Sequence, residues 1–234
     1  MSETLTREEH LKHPSTGLPL VTVKFAQSLD GRIATATGDS QWISSPPAQR
    51  FVHKLRSEHD AILVGIGTVL ADDPRLTVRL TKGRDPLRIV IDSSLRIPLG
   101  ARVLADGAAS HTLVVANENA DSARSRAIEA LGAEVLRLPA SQKKIGVDLQ
   151  RLFEELGRRR IESVLVEGGK QIITSLLAAR LVDRLVIVIA PKIIGQGIDA
   201  VGDLGIRQLA SAITFSSVQT RRLGPDIILD GRLN

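Results

Sequence analysis

The sequence predicts an α/β fold in which a mostly parallel sheet is flanked by helices and ends in a C-terminal antiparallel hairpin. Three observations carry this expectation. Short apolar runs alternate with helix-patterned stretches from about residue 19 almost to the end of the chain. Several of those runs are Val/Ile-rich throughout, as strands covered on both faces must be. Aromatic residues make up only 2% of the 234 residues, so the core is aliphatic, which suits a buried parallel sheet.

The expected strands follow in order: 20–26, 61–65, 87–91, 112–116, 134–138, 163–166, 184–190, 214–222 and 227–230. Between them, Ser45-Pro46-Pro47 reads as a helix start, with Ser as the cap and Pro in the first turn, for a helix reaching about Glu58. A second helix, 121–131, stops at Gly132; others span 148–160 and 169–179. Strands that alternate with helices imply right-handed parallel crossovers. Only Leu223-Gly224-Pro225 links the last two strands, so those two are expected to pair antiparallel. Residues 1–18 are polar and read as a flexible leader, and residues 19–234 read as one domain.

Composition removes several kinds of function. The chain has no Cys, so disulfides, thiol nucleophiles and cysteine-ligated metals are excluded. The five His are scattered apart from His10 and His13 in the leader, so no metal is expected. The leader lacks the apolar core of a signal peptide, and no run reaches membrane-spanning length. A cytoplasmic protein without membrane contact is expected. Net charge is +5 and the sequence pI about 10.0, which raises the question of nucleic acid. Lys and Arg alternate with Asp and Glu, however, and the densest run, Arg158–Arg160, falls at a helix end where the dipole accounts for it. A phosphorylated small molecule explains the excess charge at least as well.

Four segments carry possible chemistry. In the first, a buried strand runs into Gly65-Ile66-Gly67-Thr68 and a short helix, a place where a phosphate can approach bare backbone. Leu70 stands at the third glycine position of the dinucleotide fingerprint, so a tight structural turn explains this segment equally well. In the second, Glu167-Gly168-Gly169 offers another such turn, and the pair of turns favours a ligand more than either alone. The third, Asp92-Ser93-Ser94-Leu95-Arg96, ends a strand where hydroxyls and an Arg would tolerate a ribose 2′-phosphate; Asn117 and Arg124 are weaker candidates, and a capped turn is the simpler account. The fourth gathers Lys24 and Asp30, Ser40 through Ser44, Arg56, and the aperiodic Asp72-Asp73-Pro74-Arg75-Leu76-Thr77-Val78-Arg79. Arginines and hydroxyls suit a phosphate, while Asp73 and Arg75 are equally well read as solvated surface. No nucleophile elbow or Ser/His/Asp set is present.

Several stretches resemble the reductase domain of riboflavin biosynthesis. They are Val21-Thr22-Val23-Lys24, Ser28 to Ala34, Gly38 to Ser44, Leu55-Arg56, Val64 to Leu70, Asp72 to Arg79, Glu167-Gly168-Gly169, Leu181-Val182-Asp183, and Ile189-Ala190-Pro191 with Gly195. The resemblance runs from about residue 19 to the end. It implies a dihydrofolate-reductase-like fold, a homodimer, and NADPH across the carboxyl ends of the strands. The implied reaction is reduction of the ribosyl group of 5-amino-6-(5-phosphoribosylamino)uracil, or of its 2,5-diamino-pyrimidinone counterpart, to a ribityl chain. Relatives of this domain often follow a zinc deaminase, whose His-x-Glu and Cys-x-x-Cys elements are absent here, so a stand-alone reductase is expected.

By position, the resemblance assigns Lys24, Ser40, Ser44, Arg56, Asp72, Leu76, Arg79 and Glu167 to substrate. Arg56, Arg79, Ser40 and Ser44 would take the phosphate. Lys24, Asp72 and Glu167 would face ribose and pyrimidine and serve as catalytic residues. Ala26, Trp42, Gly65, Gly67, Thr68, Val69, Ser94, Gly168 and Gly169 fall along the cofactor path, although Trp42, the sole Trp, reads equally well as core. A pterin or folate reductase is the alternative; it would keep the glycine turns without needing phosphate-binding arginines. A non-catalytic basic module would need neither.

Overall fold

The computed structural model describes residues 17–105, 107–140 and 146–234. The elements in chain order are β1 (Leu20–Ser28), β2 (Arg32–Thr35), α1 (Pro46–Glu58), β3 (Ala61–Gly65), α2 (Ile66–Asp72), β4 (Leu87–Ile91), β5 (Thr112–Asn117) and α3 (Ser122–Glu129). They continue with β6 (Glu134–Leu138), α4 (Leu149–Arg158), β7 (Ser163–Val166), α5 (Lys170–Ala178), β8 (Arg184–Ala190), β9 (Gly197–Asp199), β10 (Phe215–Leu223) and β11 (Asp226–Leu233).

Nine strands form one sheet in the order β10-β11-β8-β1-β7-β3-β4-β5-β6. From β8 to β6 every neighbour is parallel; β11 joins β8 antiparallel, and β10 pairs antiparallel with β11. These are the nine strands expected from sequence, including the C-terminal hairpin. The period of two along each strand sorts side chains onto two cores. On β3, Ala61 and Leu63 face one core with α4 and α5, while Ile62 and Val64 face another with α2 and α3. A third cluster on that second side packs Ala48 and Leu55 of α1 against Leu165, Val186, Val188 and Ile228.

Local chemistry explains the helix boundaries. Asp121 accepts a hydrogen bond from the Ala123 N–H, and Asp148 accepts one from the Arg151 N–H, so both helices start on carboxylate caps. Gly132 turns the chain after α3 with φ +96°. Ser45 differs from expectation. It occupies the cap position, but its Oγ donates to Asp226 Oδ2 at 2.6 Å, and its N–H goes to the same oxygen at 2.8 Å. The hydroxyl therefore ties α1 to the hairpin, and Pro46 and Pro47, which lack N–H groups, reduce what a cap would have to satisfy.

A small antiparallel ribbon, β2 with β9, was not expected. Of the leader, residues 1–16, with His10 and His13, lie outside the described residues; Leu18 packs against the core. Among the described residues, no helix is long and apolar enough to cross a membrane.

Candidate active site

The chain lays β7 between β1 and β3, although β7 is made a hundred residues after β3. In the parallel register Val23 is opposite Val166. One step further, Lys24, midway along β1, and Glu167, just past the end of β7, stand side by side on the face that α1 covers. Alternation requires this, since Val23 and Val166 both face the α4/α5 core.

The α1 helix supplies the counter-charge. Arg56 grips Glu167 bidentately, Nε to Oε1 at 2.7 Å and Nη2 to Oε2 at 2.8 Å, and its Nη1 donates to the Thr77 carbonyl at 3.0 Å. Both side chains are nearly buried, at 12% and 11% exposure. Burial pushes the Glu167 carboxyl up, but Arg56, Lys24 and His53 together outweigh it and hold the pKa at about 2. The carboxylate is therefore charged at any working pH. Lys24 carries the opposite imbalance. Burial lowers its pKa; Glu167 opposes that shift and Arg56 adds to it.

His53, one turn before Arg56 on α1, belongs to the same cluster although the sequence did not mark it. It is buried, and its Nδ1 accepts the Arg79 N–H at 2.8 Å, so the ring bonds as an acceptor on that nitrogen. Burial first, then Arg56 and Arg79, lower its pKa to about 4. The only sequence cue was its spacing from Arg56 on a helix whose neighbours Val52 and Leu55 are core.

The 72–79 loop closes one side. Asp72 ends α2 with an exposed side chain, and partial shielding raises its carboxyl above the usual value. Leu76 sits in the left-handed region at φ +55° and is 2% exposed, so its side chain is a plug in the second core. Arg79 is exposed and donates to Thr77 Oγ1 at 2.6 Å. Partial burial, followed by neighbouring Arg56 and Arg75, lowers its pKa. Ser40 and Ser44 lie half-buried on the approach to α1, and among the described residues no side-chain hydrogen bond joins them to the cluster. Lys24, Arg56, Glu167 and Arg79 are thus brought together, while Ser40, Ser44 and Asp72 stand around them.

The two glycine turns meet. A Cβ on Gly169 would lie 3.6 Å from Thr68 Oγ1, so the starts of α2 and α5 are adjacent, and neither helix has a side-chain cap. The four glycines separate into two kinds. A Cβ on Gly65 would come 2.9 Å from Ile172 Cγ1, and one on Gly168 would come 3.3 Å from Ile172 Cβ, so these two let α5 approach the sheet. Gly67 faces open space, and Gly169 meets only Thr68. Val69 is core at 2% exposure, Ala26 is half-buried against the α1 cluster, and Ser94 is exposed. Trp42 is 67% exposed, which rules out the core reading; its carbonyl accepts from Lys192 Nζ at 2.6 Å. Arg124 is not available to a ligand in the way expected, because its Nε and Nη2 bond the Leu95 and Ile97 carbonyls. Asn117 Oδ1, at the end of β5, is buried without a hydrogen-bond partner among the described residues.

Fold and site together define a parallel α/β protein whose site opens at the carboxyl ends of the central strands, where the order of the sheet reverses. The chain belongs to the RibD C-terminal domain family, whose model matches residues 19–229. RibD of Aquifex aeolicus is 38% identical over 212 residues, covering 90% of this chain and 57% of the relative. The 2,5-diamino-6-ribosylamino-4(3H)-pyrimidinone 5′-phosphate reductase of Methanothermobacter thermautotrophicus is 42% identical over 218 residues, covering 91% of this chain and 97% of the relative. Among solved structures, Acinetobacter baumannii RibD superposes with a TM-score of 0.81 at 29% identity, covering 94% of this chain and 59% of that one. The riboflavin biosynthesis reductase Rib7 of Saccharomyces cerevisiae gives 0.74 at 27% identity, covering 95% and 93%. The chain therefore spans about 57% of the length of such RibD relatives.

Proposed function

We propose that the chain reduces the ribosyl group of a 5-phosphoribosylamino-pyrimidine to the ribitylamino product, using NADPH. The observation that carries this reading is the buried Lys24–Glu167–Arg56 cluster beside two adjacent uncapped helix starts, in a chain of the RibD C-terminal domain family.

The cofactor assignment rests on fit. The open backbone at Gly67 and Gly169, with the free first-turn N–H groups of α2 and α5, suits a pyrophosphate. Ser94, the exposed Trp42 and the orphaned Asn117 Oδ1 offer further contacts along the same edge. When bound, the group supplies a hydride for the sugar C1. The chain's own side chains do the rest. Arg79, with Ser40 and Ser44, holds the phosphate. Arg56 keeps Glu167 charged and aimed, and Glu167 accepts hydrogen bonds from the ribose and pyrimidine. Lys24, its proton loosened by burial, donates at the sugar ring oxygen as the C1–O bond opens to the imine. Asp72 stabilises the positive charge that grows at C1. Leu76 shapes this wall from behind as a core plug. The reading also makes the chain a cytoplasmic homodimer with a phosphorylated small molecule as its ligand.

Mixing the protein with NADPH and each candidate pyrimidine phosphate, while following absorbance of the reduced nicotinamide, tests the proposal. Consumption with one substrate and not the other assigns both the reaction and the ring state. If NADPH binds and neither pyrimidine is reduced, the assigned reaction is wrong.

A further inference from the structure

Beyond the reaction cluster, a cavity of ≈ 350 Å³ opens between the 72–79 loop, the start of β4 and the segment before β5. Neither Lys24, His53, Arg56 nor Glu167 lines it. Among the described residues its wall carries Arg75, Arg88, Arg102 and His111 against one carboxylate, Asp85, together with Thr77. Asp85 already accepts the Val78 N–H at 2.6 Å.

Arg88 is the unusual member. It is a strand residue only 5% exposed, yet it lines the cavity. Its Nε bonds Thr112 Oγ1 at 3.1 Å and the His111 carbonyl at 3.3 Å, and its Nη2 bonds the Ala108 carbonyl. All of these acceptors are uncharged, and among the described residues no carboxylate comes within ion-pair distance of its guanidinium. Nη1 makes no hydrogen bond within the described structure. Arg75 also has no ion pair among the described residues, and the Arg102 Nε lies 3.4 Å from Asp73 Oδ2 at the rim. A buried guanidinium without an ion-pair partner is costly, and Arg88 converges on one space with the exposed Arg75 and Arg102, an arrangement that favours a dianion. Guanidinium forks match phosphate oxygens bidentately. The volume is at the small end of ligand pockets, roughly 300–1,000 Å³, which leaves room for more than a bare phosphate ion.

We propose that this cavity is a second binding site, for a small phosphate monoester, with Arg88 as its buried anchor and Arg75 and Arg102 as its rim. It goes beyond the reaction assigned above and does not depend on it.

Isothermal titration of the full chain carrying Ser40→Ala and Arg79→Ala, which removes phosphate contacts proposed for the reaction site, with ribose 5-phosphate and separately with inorganic phosphate, tests the site. Ribose 5-phosphate is expected to bind more tightly than inorganic phosphate; equal affinities overturn the ester assignment. The double variant Arg75→Ala/Arg102→Ala, altered only at exposed rim positions, should weaken ribose 5-phosphate about tenfold or more, as lost bidentate contacts would. Arg56→Ala should retain binding within about threefold of the parent chain, because Arg56 touches the reaction cluster and not this cavity. Arg88→Met should abolish binding. If that variant does not fold, the double variant decides alone. Undiminished binding in the double variant, loss in Arg56→Ala, or no uptake by the parent chain overturns the proposal.

Discussion

Two buried arginine–carboxylate forks invite comparison. Arg56 and Glu167 meet at 2.7 and 2.8 Å, at 12% and 11% exposure; Arg184 and Asp230 meet at 2.7 and 2.6 Å, at 8% and 14%. In geometry and burial they are nearly the same object. Their surroundings differ. Arg184–Asp230 bridges β8 and β11 diagonally, Arg184 standing opposite Arg232 and Asp230 opposite Val186, and Arg184 Nη1 is sealed without a hydrogen bond among the described residues. Arg56–Glu167 instead has a third charge, Lys24, and a histidine held neutral beside it. A closed pair clamps the hairpin to the sheet, whereas an unbalanced cluster carries charge left over for a ligand. The surroundings, not the bond lengths, separate a structural ion pair from a site.

The comparison can be broken by removing one acid at a time. Glu167→Gln should lower reductase turnover by about 100-fold or more, in the range seen when a preorganised electrostatic group is lost. Steady-state kinetics with the accepted pyrimidine check this, and near-normal turnover would mean that Glu167 only holds Arg56. Asp230→Asn should cost about 3 kcal/mol of stability, because Arg184 would remain buried without its partner, while turnover per folded molecule stays unchanged. Urea unfolding followed by circular dichroism measures the first quantity and enzyme assay the second.

Acid sharpens the contrast. His53 falls from 6.5 to about 4 on folding, so the unfolded chain binds the proton more readily between those values. The stability that His53 contributes is complete above pH 6.5 and lost as pH falls through 4. Glu167 falls from 4.5 to about 2, so its contribution is complete above pH 4.5 and lost on the way to 2. Unfolding free energy should therefore decline in two successive stages below neutrality. His53→Gln should flatten the first stage and leave the second; urea midpoints measured from pH 7 to pH 3 report both.

The smallest effects concern the glycines. Gly67→Ala meets no atom within 4 Å, so it should leave the fold intact or firmer by about 0.5 kcal/mol while weakening the proposed NADPH binding. Gly65→Ala must displace Ile172 and should cost about 1 kcal/mol. Cofactor titration by fluorescence, together with thermal unfolding, separates the two.

Much of this architecture was legible in the residues. The Val/Ile runs located the central strands because a strand buried on both faces tolerates little else, whereas β10, exposed along most of its length, was legible mainly through its short link to β11. The helices expected from residues 121 and 148 begin one residue later, with the Asp121 and Asp148 carboxylates capping their free N–H groups. The β2–β9 ribbon was not legible, since strands of four and three residues show no period and pair across more than 160 positions. Lys24, Arg56 and Glu167 could be singled out by resemblance, but their union depends on β7 slipping between β1 and β3, which no local pattern encodes. His53 was hidden because a lone histidine on a core-facing helix looks like packing. Likewise, resemblance assigned Leu76 to substrate, and its burial at a left-handed turn shows it to be an anchor of the loop.

That insertion of β7 also sets an order of events in synthesis. Lys24 and Arg56 leave the ribosome long before Glu167 exists, so every nascent chain short of the seventh strand holds two cations with no acid between them. The sheet at that stage has a gap where β7 belongs, with β1 and β3 not yet bridged. Closing it requires contacts more than a hundred residues apart, the slow kind of pairing. The site and the centre of the sheet are therefore completed in the same late step, so a chain that stops early lacks both at once.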